Sequence, residues 1–295
     1  MARIESSMHV EGFFDPATFT ITYLLLDVQT RECAIIDSVL DYDPKSGRTG
    51  TATADRLIAR IGELKASVRW ILETHVHADH LSAAAYLKEK IGGRVAIGAR
   101  VVQVQQFFGQ LFNADPDFMA DGRAFDHLLG DDEIIHVGAL QLRAMHTPGH
   151  TPACMTYLVS DGVESAAFIG DTLFMPDYGT ARCDFPGGDA QQLYQSIRKI
   201  LSLPADTKLY MCHDYLPSGR GPLFVSSVAE ERAGNVHIHD GIDEAAFVAM
   251  RRKRDTELAM PVLILPSVQV NMRAGRLPDP ESNGTRYLKI PLNVL

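Results

Sequence analysis

The densest group of potential metal ligands in the chain is the run THVHADH at residues 74–80. His75 and His77 alternate, so in an extended segment both side chains lie on the same side of the backbone. Asp79 and His80 come at the start of a predicted helix and can turn back toward the same space. Imidazole and carboxylate ligands suit zinc, iron or manganese. The run therefore predicts a metal site, and the alternative interpretation is a polar loop with surface histidines.

Three further segments place a ligand-type residue directly after a predicted strand. HTPGH ends at His150, Asp171 follows an apolar run, and HDY begins at His213. Because strand ends on one edge of a layered fold converge, we expect these three residues to join the first cluster. Six of the 11 histidines fall in the four segments. The others, expected in the core or at the surface, are His9, His127, His136, His237 and His239.

The elements that must position these residues are short strands followed by longer helices. Dense apolar and β-branched runs predict strands at 17–28, 33–39, 69–74, 95–97, 140–145, 154–159, 166–169 and 208–211. Helical spacing of apolar residues predicts helices at 51–64, 79–90, 189–203, 230–235 and 243–258, with an irregular or helical stretch at 101–121. Two sheets in contact, with helices on both outer faces, would accommodate this order.

We expect residues 1–295 to form a single domain. Its C-terminal extension, from about 236 to 295, is expected to wrap around the core. The part from Pro261 onward is rich in proline and turn residues and predicts an irregular surface segment.

Composition narrows the class of protein. Hydrophobic residues make up 46% of the chain and charged residues 22%, as in ordinary globular proteins. The net charge of -9 argues against nucleic acid or an anionic membrane as the main partner. The four cysteines form no close pair, which favours reduced thiols over a disulfide framework. With no apolar stretch of membrane-spanning length, we expect a cytoplasmic protein.

Together the motifs between residues 37 and 215 resemble those of the metallo-β-lactamase superfamily. The resemblance implies an α/β fold, an αββα sandwich with the metal at one edge. In dinuclear members the positions of His75, His77 and His150 hold one metal, those of Asp79, His80 and His213 hold the second, and that of Asp171 bridges. All seven residues are present, so the sequence is compatible with two metals.

A narrower resemblance is to the persulfide dioxygenases, also called sulfur dioxygenases or the ethylmalonic encephalopathy protein family. It is carried by THVHADH, HTPGHTPAC, ARCDF with Arg182 and Asp184, and HDY. Glyoxalase II, a related hydrolase, usually has Glu rather than Asp after the last histidine and ends in a helical substrate-binding domain. This chain departs from the family pattern near Ala153, at Cys183 and in a longer loop at residues 175–181.

The narrower resemblance implies one Fe(II) per chain, held by His75, His150 and Asp171. The residues implied to surround and orient these ligands are His77, Asp79, His80 and His213. Two imidazoles and one carboxylate leave three coordination positions open, the arrangement of non-haem iron oxygenases. The implied reaction oxidises glutathione persulfide with O₂ to sulfite and glutathione. A homodimer, and a rhodanese acting in the same pathway, are further expectations.

Glutathione carries two carboxylates, so cationic or phenolic side chains are expected near the metal. Arg182 and Tyr215 are the first candidates because they lie in the family-like motifs, and Tyr178 is a weaker one. Arg offers carboxylates a bidentate match. The alternative for Arg182 is an internal salt bridge with Asp184.

Two other functions stay open on the sequence alone. One is a dinuclear zinc thioesterase of the glyoxalase II type, acting on S-acyl glutathione. The other is a non-enzymatic module that binds iron and senses metal or sulfide. Metal content distinguishes the thioesterase from the dioxygenase. A dinuclear thioesterase site predicts about two ions per chain, and the dioxygenase site predicts about one.

Overall fold

Two six-stranded sheets lie at the centre of residues 6–294, which are the residues that the computed structural model describes. The strands are β1 (Met8–Asp15), β2 (Thr20–Asp27), β3 (Glu32–Ile36), β4 (Val39–Asp43), β5 (Arg48–Gly50), β6 (Ser67–Leu72), β7 (Leu81–Ser82), β8 (Arg94–Gly98), β9 (His127–Leu129), β10 (Glu133–Val137), β11 (Leu140–His146), β12 (Met155–Ser160), β13 (Ser165–Phe168), β14 (Lys208–Tyr210) and β15 (Val225–Ser227). The helices are α1 (Ala52–Glu63), α2 (Ala84–Ile91), α3 (Val101–Leu111), α4 (Ala190–Leu201), α5 (Val228–Gly234), α6 (Glu244–Asp255) and α7 (Ile264–Asn271).

The first sheet has the order β1-β2-β3-β6-β8-β9 and the second the order β10-β11-β12-β13-β14-β15. In the first, β1, β2 and β3 pair antiparallel, and β3, β6, β8 and β9 pair parallel. The second is antiparallel except for the parallel pair of β13 and β14. A small third sheet joins β5, β4 and β7.

Strand β2 shows why the sheets stack face to face. Successive side chains of a strand point to opposite faces, and every residue of β2 is buried. Tyr23 and Leu25 belong to the core between the two sheets, whereas Leu24 and Leu26 pack in the core beneath α1, α2 and α3. A third core lies between the second sheet and helices α4, α5 and α6. The predicted αββα sandwich is therefore confirmed.

Helix α4 illustrates the outer layer. Its buried residues Leu193, Ile197 and Ile200 recur at helical spacing and form one apolar face. The side chain of Asp189 caps its first turn by accepting a hydrogen bond from the Gln192 backbone N–H at 2.7 Å. The predicted helix at 189–203 is thus present with nearly the predicted bounds.

Helix α2 begins later than predicted, at Ala84 rather than at residue 79. Leu81 and Ser82 form β7, which pairs with β4 through Leu40 and Val39. Strand pairing thus occupies backbone groups that a helix starting at residue 79 would need.

The prediction of an irregular segment from Pro261 onward is wrong for residues 264–271, which form α7. Ile264 and Val268 are spaced as on one face of a helix and lie in the core under the first sheet. Pro266 lies in the first turn, where its missing N–H costs no intrahelical hydrogen bond. Residues 276–294 have no helix or strand, and Ile290 and Leu292 are exposed there.

Within the described residues, no helix has both the length and the hydropathy needed to cross a membrane.

A buried acid stabilises the end of α5. Glu231 is fully buried, and its Oε2 accepts a hydrogen bond from Asn235 Nδ2 at 2.7 Å. Its Oε1 has no hydrogen-bond partner within residues 6–294. Burial raises the pKa of Glu231 from 4.5 to about 7. The neutral form is therefore favoured in the folded protein.

We predict that Glu231 makes the free energy of unfolding fall as pH rises from 4.5 to about 7. In this window the folded state binds the proton and the unfolded state does not, so rising pH favours unfolding. The full loss is about 3 kcal/mol. Urea denaturation across this pH range measures it. Glu231→Gln should lack this part of the pH dependence, and the exposed control Glu257→Gln should keep it. Equal pH slopes in the wild type and Glu231→Gln would contradict the prediction.

Candidate metal centre

The predicted ligand residues lie just beyond the carboxyl ends of four strands. His75 follows β6, His150 follows β11, Asp171 follows β13 and His213 follows β14. Because β13 and β14 are parallel neighbours, their carboxyl ends lie at the same edge of the second sheet. The structure brings all seven predicted residues together into two adjacent groups.

The first ligand group is His75, His150 and Asp171, whose ligand atoms lie within 4.8 Å of one another. Oδ2 of Asp171 is 3.8 Å from Nε2 of His75 and 3.7 Å from Nε2 of His150. These distances are too long for hydrogen bonds. They suit atoms that share one cation through bonds of about 2.0–2.2 Å. Nε2 of His75 is buried without a hydrogen-bond partner within residues 6–294, and it faces Oδ2 of Asp171, so a metal ion fits this group.

The other nitrogen of each imidazole in this group is held by the protein. Nδ1 of His150 donates to the backbone carbonyl of Arg182 at 2.7 Å. Nδ1 of His75 lies 3.0 Å from Oγ1 of Thr74, and that hydroxyl donates to Asp37 at 2.9 Å. Nδ1 is therefore the protonated nitrogen in both rings, and the lone pair of Nε2 faces Asp171. Burial and the neighbouring imidazoles hold the pKa of His75 well below its ordinary value, which keeps it neutral.

The second ligand group is His77, Asp79, His80 and His213. Nε2 of His213 lies 3.0 Å from Oδ2 of Asp79 and 3.4 Å from Oδ1 of Asp171. Nδ1 of His77 and Nε2 of His80 are buried and, within residues 6–294, lack hydrogen-bond partners. Asp171 thus presents one oxygen to each group, and the donor set has room for a second ion.

Two buried carboxylates that sequence reasoning gave no role hold His77. Nε2 of His77 lies 3.0 Å from Oδ1 of Asp37 and 3.2 Å from Oε2 of Glu73. Burial lowers the pKa of His77, but the two carboxylates outweigh it and raise the pKa well above its ordinary value. Because Nε2 is the nitrogen that faces the two carboxylates, it carries the proton of the neutral ring, and Nδ1 faces the ligand group. The sequence does carry a signal for both carboxylates, because Asp37 and Glu73 each directly follow an apolar strand, β3 and β6.

Residues distant in sequence from the THVHADH run also support the histidines of the second ligand group. Oγ1 of Thr20 lies 3.3 Å from Nδ1 of His80 and 3.4 Å from Nδ1 of His213. From α7, Nδ2 of Asn271 donates to the carbonyls of His77 at 2.9 Å and His80 at 2.7 Å. Oδ1 of Asn271 accepts from the Ser82 backbone N–H at 2.7 Å. No local pattern in the sequence indicates these contacts, which form only in the folded chain.

A cavity of about 500 Å³ opens onto the metal centre. Its floor includes His150, Asp171 and Asp79. An aromatic wall of the cavity is formed by four side chains whose neighbouring ring centroids lie 5.0–5.9 Å apart: Phe19, Phe174, Tyr178 and Tyr215. The lining also includes Phe185, Leu258, Ala259, Pro261, Val262 and Leu263. The ring of Tyr215 stacks on that of His213 with 5.6 Å between the centroids.

The structure places the three predicted substrate residues on this cavity. Tyr178 and Tyr215 lie with their ring centroids 5.0 Å apart. Arg182 also lines the cavity, but its guanidinium donates to both oxygens of Asp184 at 2.6 Å and to the carbonyl of Ala259 at 2.6 Å. The internal salt bridge that the sequence left as an alternative is therefore present.

Residues 18–213 match the sequence profile of the metallo-beta-lactamase superfamily. A probable metallo-hydrolase of Burkholderia pseudomallei is 67% identical over 98% of this chain and 100% of its own length. Glyoxylase B2 of Dictyostelium discoideum is 49% identical over 97% of both chains. The chain spans 65% of the length of a beta-lactamase hydrolase-like protein of Xylella fastidiosa, to which it is 51% identical.

Similarity to persulfide dioxygenases is lower but extends over most of the chain. The mitochondrial persulfide dioxygenase ETHE1 of Bos taurus is 32% identical over 89% of this chain and 87% of its own length. The crystal structure of ETHE1 from Myxococcus xanthus superposes with a TM-score of 0.71 at 29% identity, covering 91% of this chain and 100% of that chain.

We predict that Asn271→Ala weakens metal binding about 10-fold to 100-fold, because the loop at residues 75–80, which carries the ligand residue His75 as well as His77 and His80, loses its support. Metal analysis after dialysis against a graded series of chelator concentrations measures the loss. Gln269→Ala is the matched control, since Gln269 is a buried amide on α7 that bonds to Leu265 and Lys289 instead. Wild-type metal affinity in Asn271→Ala, or equal loss in both variants, would contradict the prediction.

Proposed function

The chain belongs to the metallo-beta-lactamase superfamily, and from this premise we propose that it is a glutathione-dependent persulfide dioxygenase with one Fe(II) per chain. Its substrates would be glutathione persulfide and O₂, and its products sulfite and glutathione. The observation that carries the proposal is the first ligand group. Two imidazoles and one carboxylate converge there at the floor of an open cavity.

When bound in this group, Fe(II) supplies redox chemistry toward O₂ that zinc lacks. The protein's own part is to fix the donors: the carbonyl of Arg182 orients His150, and the Thr74 hydroxyl orients His75. His75 is 1% exposed and Asp171 6%, so the surrounding protein shields these donors from bulk water.

The cavity suits a small thiol substrate. Its volume lies within the range of about 300–1,000 Å³ that is usual for small-molecule sites. Aromatic rings and the apolar side chains of Leu258, Pro261 and Val262 line it and offer an apolar surface to the carbon atoms of such a substrate. The persulfide end would lie at the floor near His150 and Asp171, with the peptide part toward the opening.

The similarity to ETHE1 also supports this assignment, because it extends over most of both chains in sequence and in structure. A homodimer, a cytoplasmic location and a rhodanese that supplies or consumes the persulfide remain predictions.

A dinuclear hydrolase that acts on S-acyl glutathione is the second candidate. The observation that favours it is the second ligand group, where buried nitrogens lack partners within residues 6–294 and Asp171 presents its other oxygen. The names of the hydrolase-like relatives point the same way.

We predict about one iron per chain after purification without added metal, as a three-residue group with open positions requires. Oxygen uptake with glutathione persulfide should then consume one O₂ for each sulfite formed. An oxygen electrode and sulfite analysis measure both quantities. About two zinc ions per chain, hydrolysis of S-acyl glutathione and no oxygen uptake would establish the hydrolase instead.

We predict that His75→Ala and Asp171→Ala lose iron and activity together, because each removes one of three ligands. His213→Ala should keep most of its iron, since His213 lies in the second ligand group. Iron quantification beside oxygen uptake distinguishes the two outcomes. Equal metal loss in all three variants would indicate a shared dinuclear centre.

A further inference from the structure

Three arginines line the cavity above the metal centre: Arg182, Arg251 and Arg254. A substrate with carboxylates needs a cation there, because the side chains of Asp79 and Asp171 make the floor acidic. A guanidinium serves this purpose only if no protein carboxylate already neutralises it.

Two of the three arginines are already paired. Arg182 makes a bidentate pair with Asp184. Arg251 is 1% exposed, its Nε donates to Oδ1 of Asp255 at 2.8 Å, and its Nη2 forms an ion pair with the same oxygen at 2.6 Å. Its Nη1 donates to the carbonyl of Thr180 at 3.0 Å. Both guanidinium groups therefore hold the cavity wall in place.

Arg254 differs from both. It lies in the last turn of α6 and lines the cavity, and its guanidinium makes no hydrogen bond or ion pair within residues 6–294. Its charge acts on the Tyr178 phenol, where it partly offsets the rise in pKa that burial causes. Arg254 is therefore a cation beside the aromatic wall with its hydrogen-bonding capacity free.

An exposed arginine without a partner is often only solvated, as Arg252 on the same helix is. The position of Arg254 sets it apart, because it borders the cavity whose floor holds His150 and Asp171. A guanidinium binds a carboxylate through two parallel hydrogen bonds. A thiol that reached the floor with its sulfur could reach Arg254 with its carboxylate.

We propose that Arg254 binds a carboxylate of the thiol substrate and makes the site selective for anionic thiols. This inference rests on the proposed function for the identity of the thiol, glutathione. Under this proposal, the selectivity for substrate depends on Arg254, a residue outside the metal centre.

The test is calorimetric titration of the metal-loaded protein with glutathione and with glutathione diethyl ester, whose carboxylates are masked. Arg254→Ala should weaken glutathione binding about 10-fold to 100-fold, as expected when a hydrogen-bonded charge is lost. Diester binding should stay unchanged, and Arg254→Lys should retain part of the affinity for glutathione. Arg252→Ala is the matched control and should bind both ligands as the wild type does.

Steady-state oxygen uptake gives a second readout. In Arg254→Ala the KM for glutathione persulfide should rise by a similar factor while kcat stays within about 2-fold, because the contact lies away from the reacting sulfur. A fall in kcat at constant KM would overturn a binding role for Arg254.

The outcomes separate this inference from the proposed function. Should the wild type bind glutathione through Arg254 but turn over only S-acyl glutathione, the dioxygenase proposal fails and the role of Arg254 stands. Unchanged glutathione affinity in Arg254→Ala, equal weakening for the diester, or no glutathione binding by the wild type would each overturn the role of Arg254.

Discussion

The buried carboxylate of Asp37 joins the first sheet to the metal centre. It accepts hydrogen bonds from the backbone N–H of Thr74 at 2.7 Å and from the Thr74 hydroxyl at 2.9 Å, and it faces Nε2 of His77 at 3.0 Å. Asp37 itself adopts a left-handed backbone conformation, with φ of 53°, which Asp tolerates better than most residues. One side chain thus fixes the orientation of His77 directly and of His75 through Thr74, so both ligand groups depend on it.

Asp171 contributes one carboxylate oxygen to each of the two ligand groups. Its Oδ2 faces His75 and His150, and its Oδ1 faces His213. A carboxylate can serve one ion or bridge two, so the same residues are compatible with a mononuclear oxygenase and with a dinuclear hydrolase. The buried nitrogens fix where metal can bind.

Local patterns in the sequence predicted the convergence of the ligand residues and were compatible with two stacked sheets, and the resemblance to the metallo-β-lactamase superfamily supplied the αββα assignment. Strand ends carry the ligand residues, and α4 has a clear apolar face. Sequence reasoning did not reach α7 or the role of Asn271, since these depend on contacts between residues far apart in the chain. It also assigned Arg182 a direct contact with substrate as readily as an internal one. Only the folded structure shows that Asp184 and Ala259 take up the guanidinium.

The hydrogen bonds from Asn271 to the carbonyls of His77 and His80 have a consequence for protein synthesis. A growing chain emerges from the ribosome with its N-terminal part first. The THVHADH loop is therefore made long before α7, and Asp171 and His213 also precede it. A nascent chain can hold every metal-binding side chain and still lack the amide that stabilises the loop. Capture of the metal in its final geometry consequently belongs to a late stage of folding, after translation has passed residue 271.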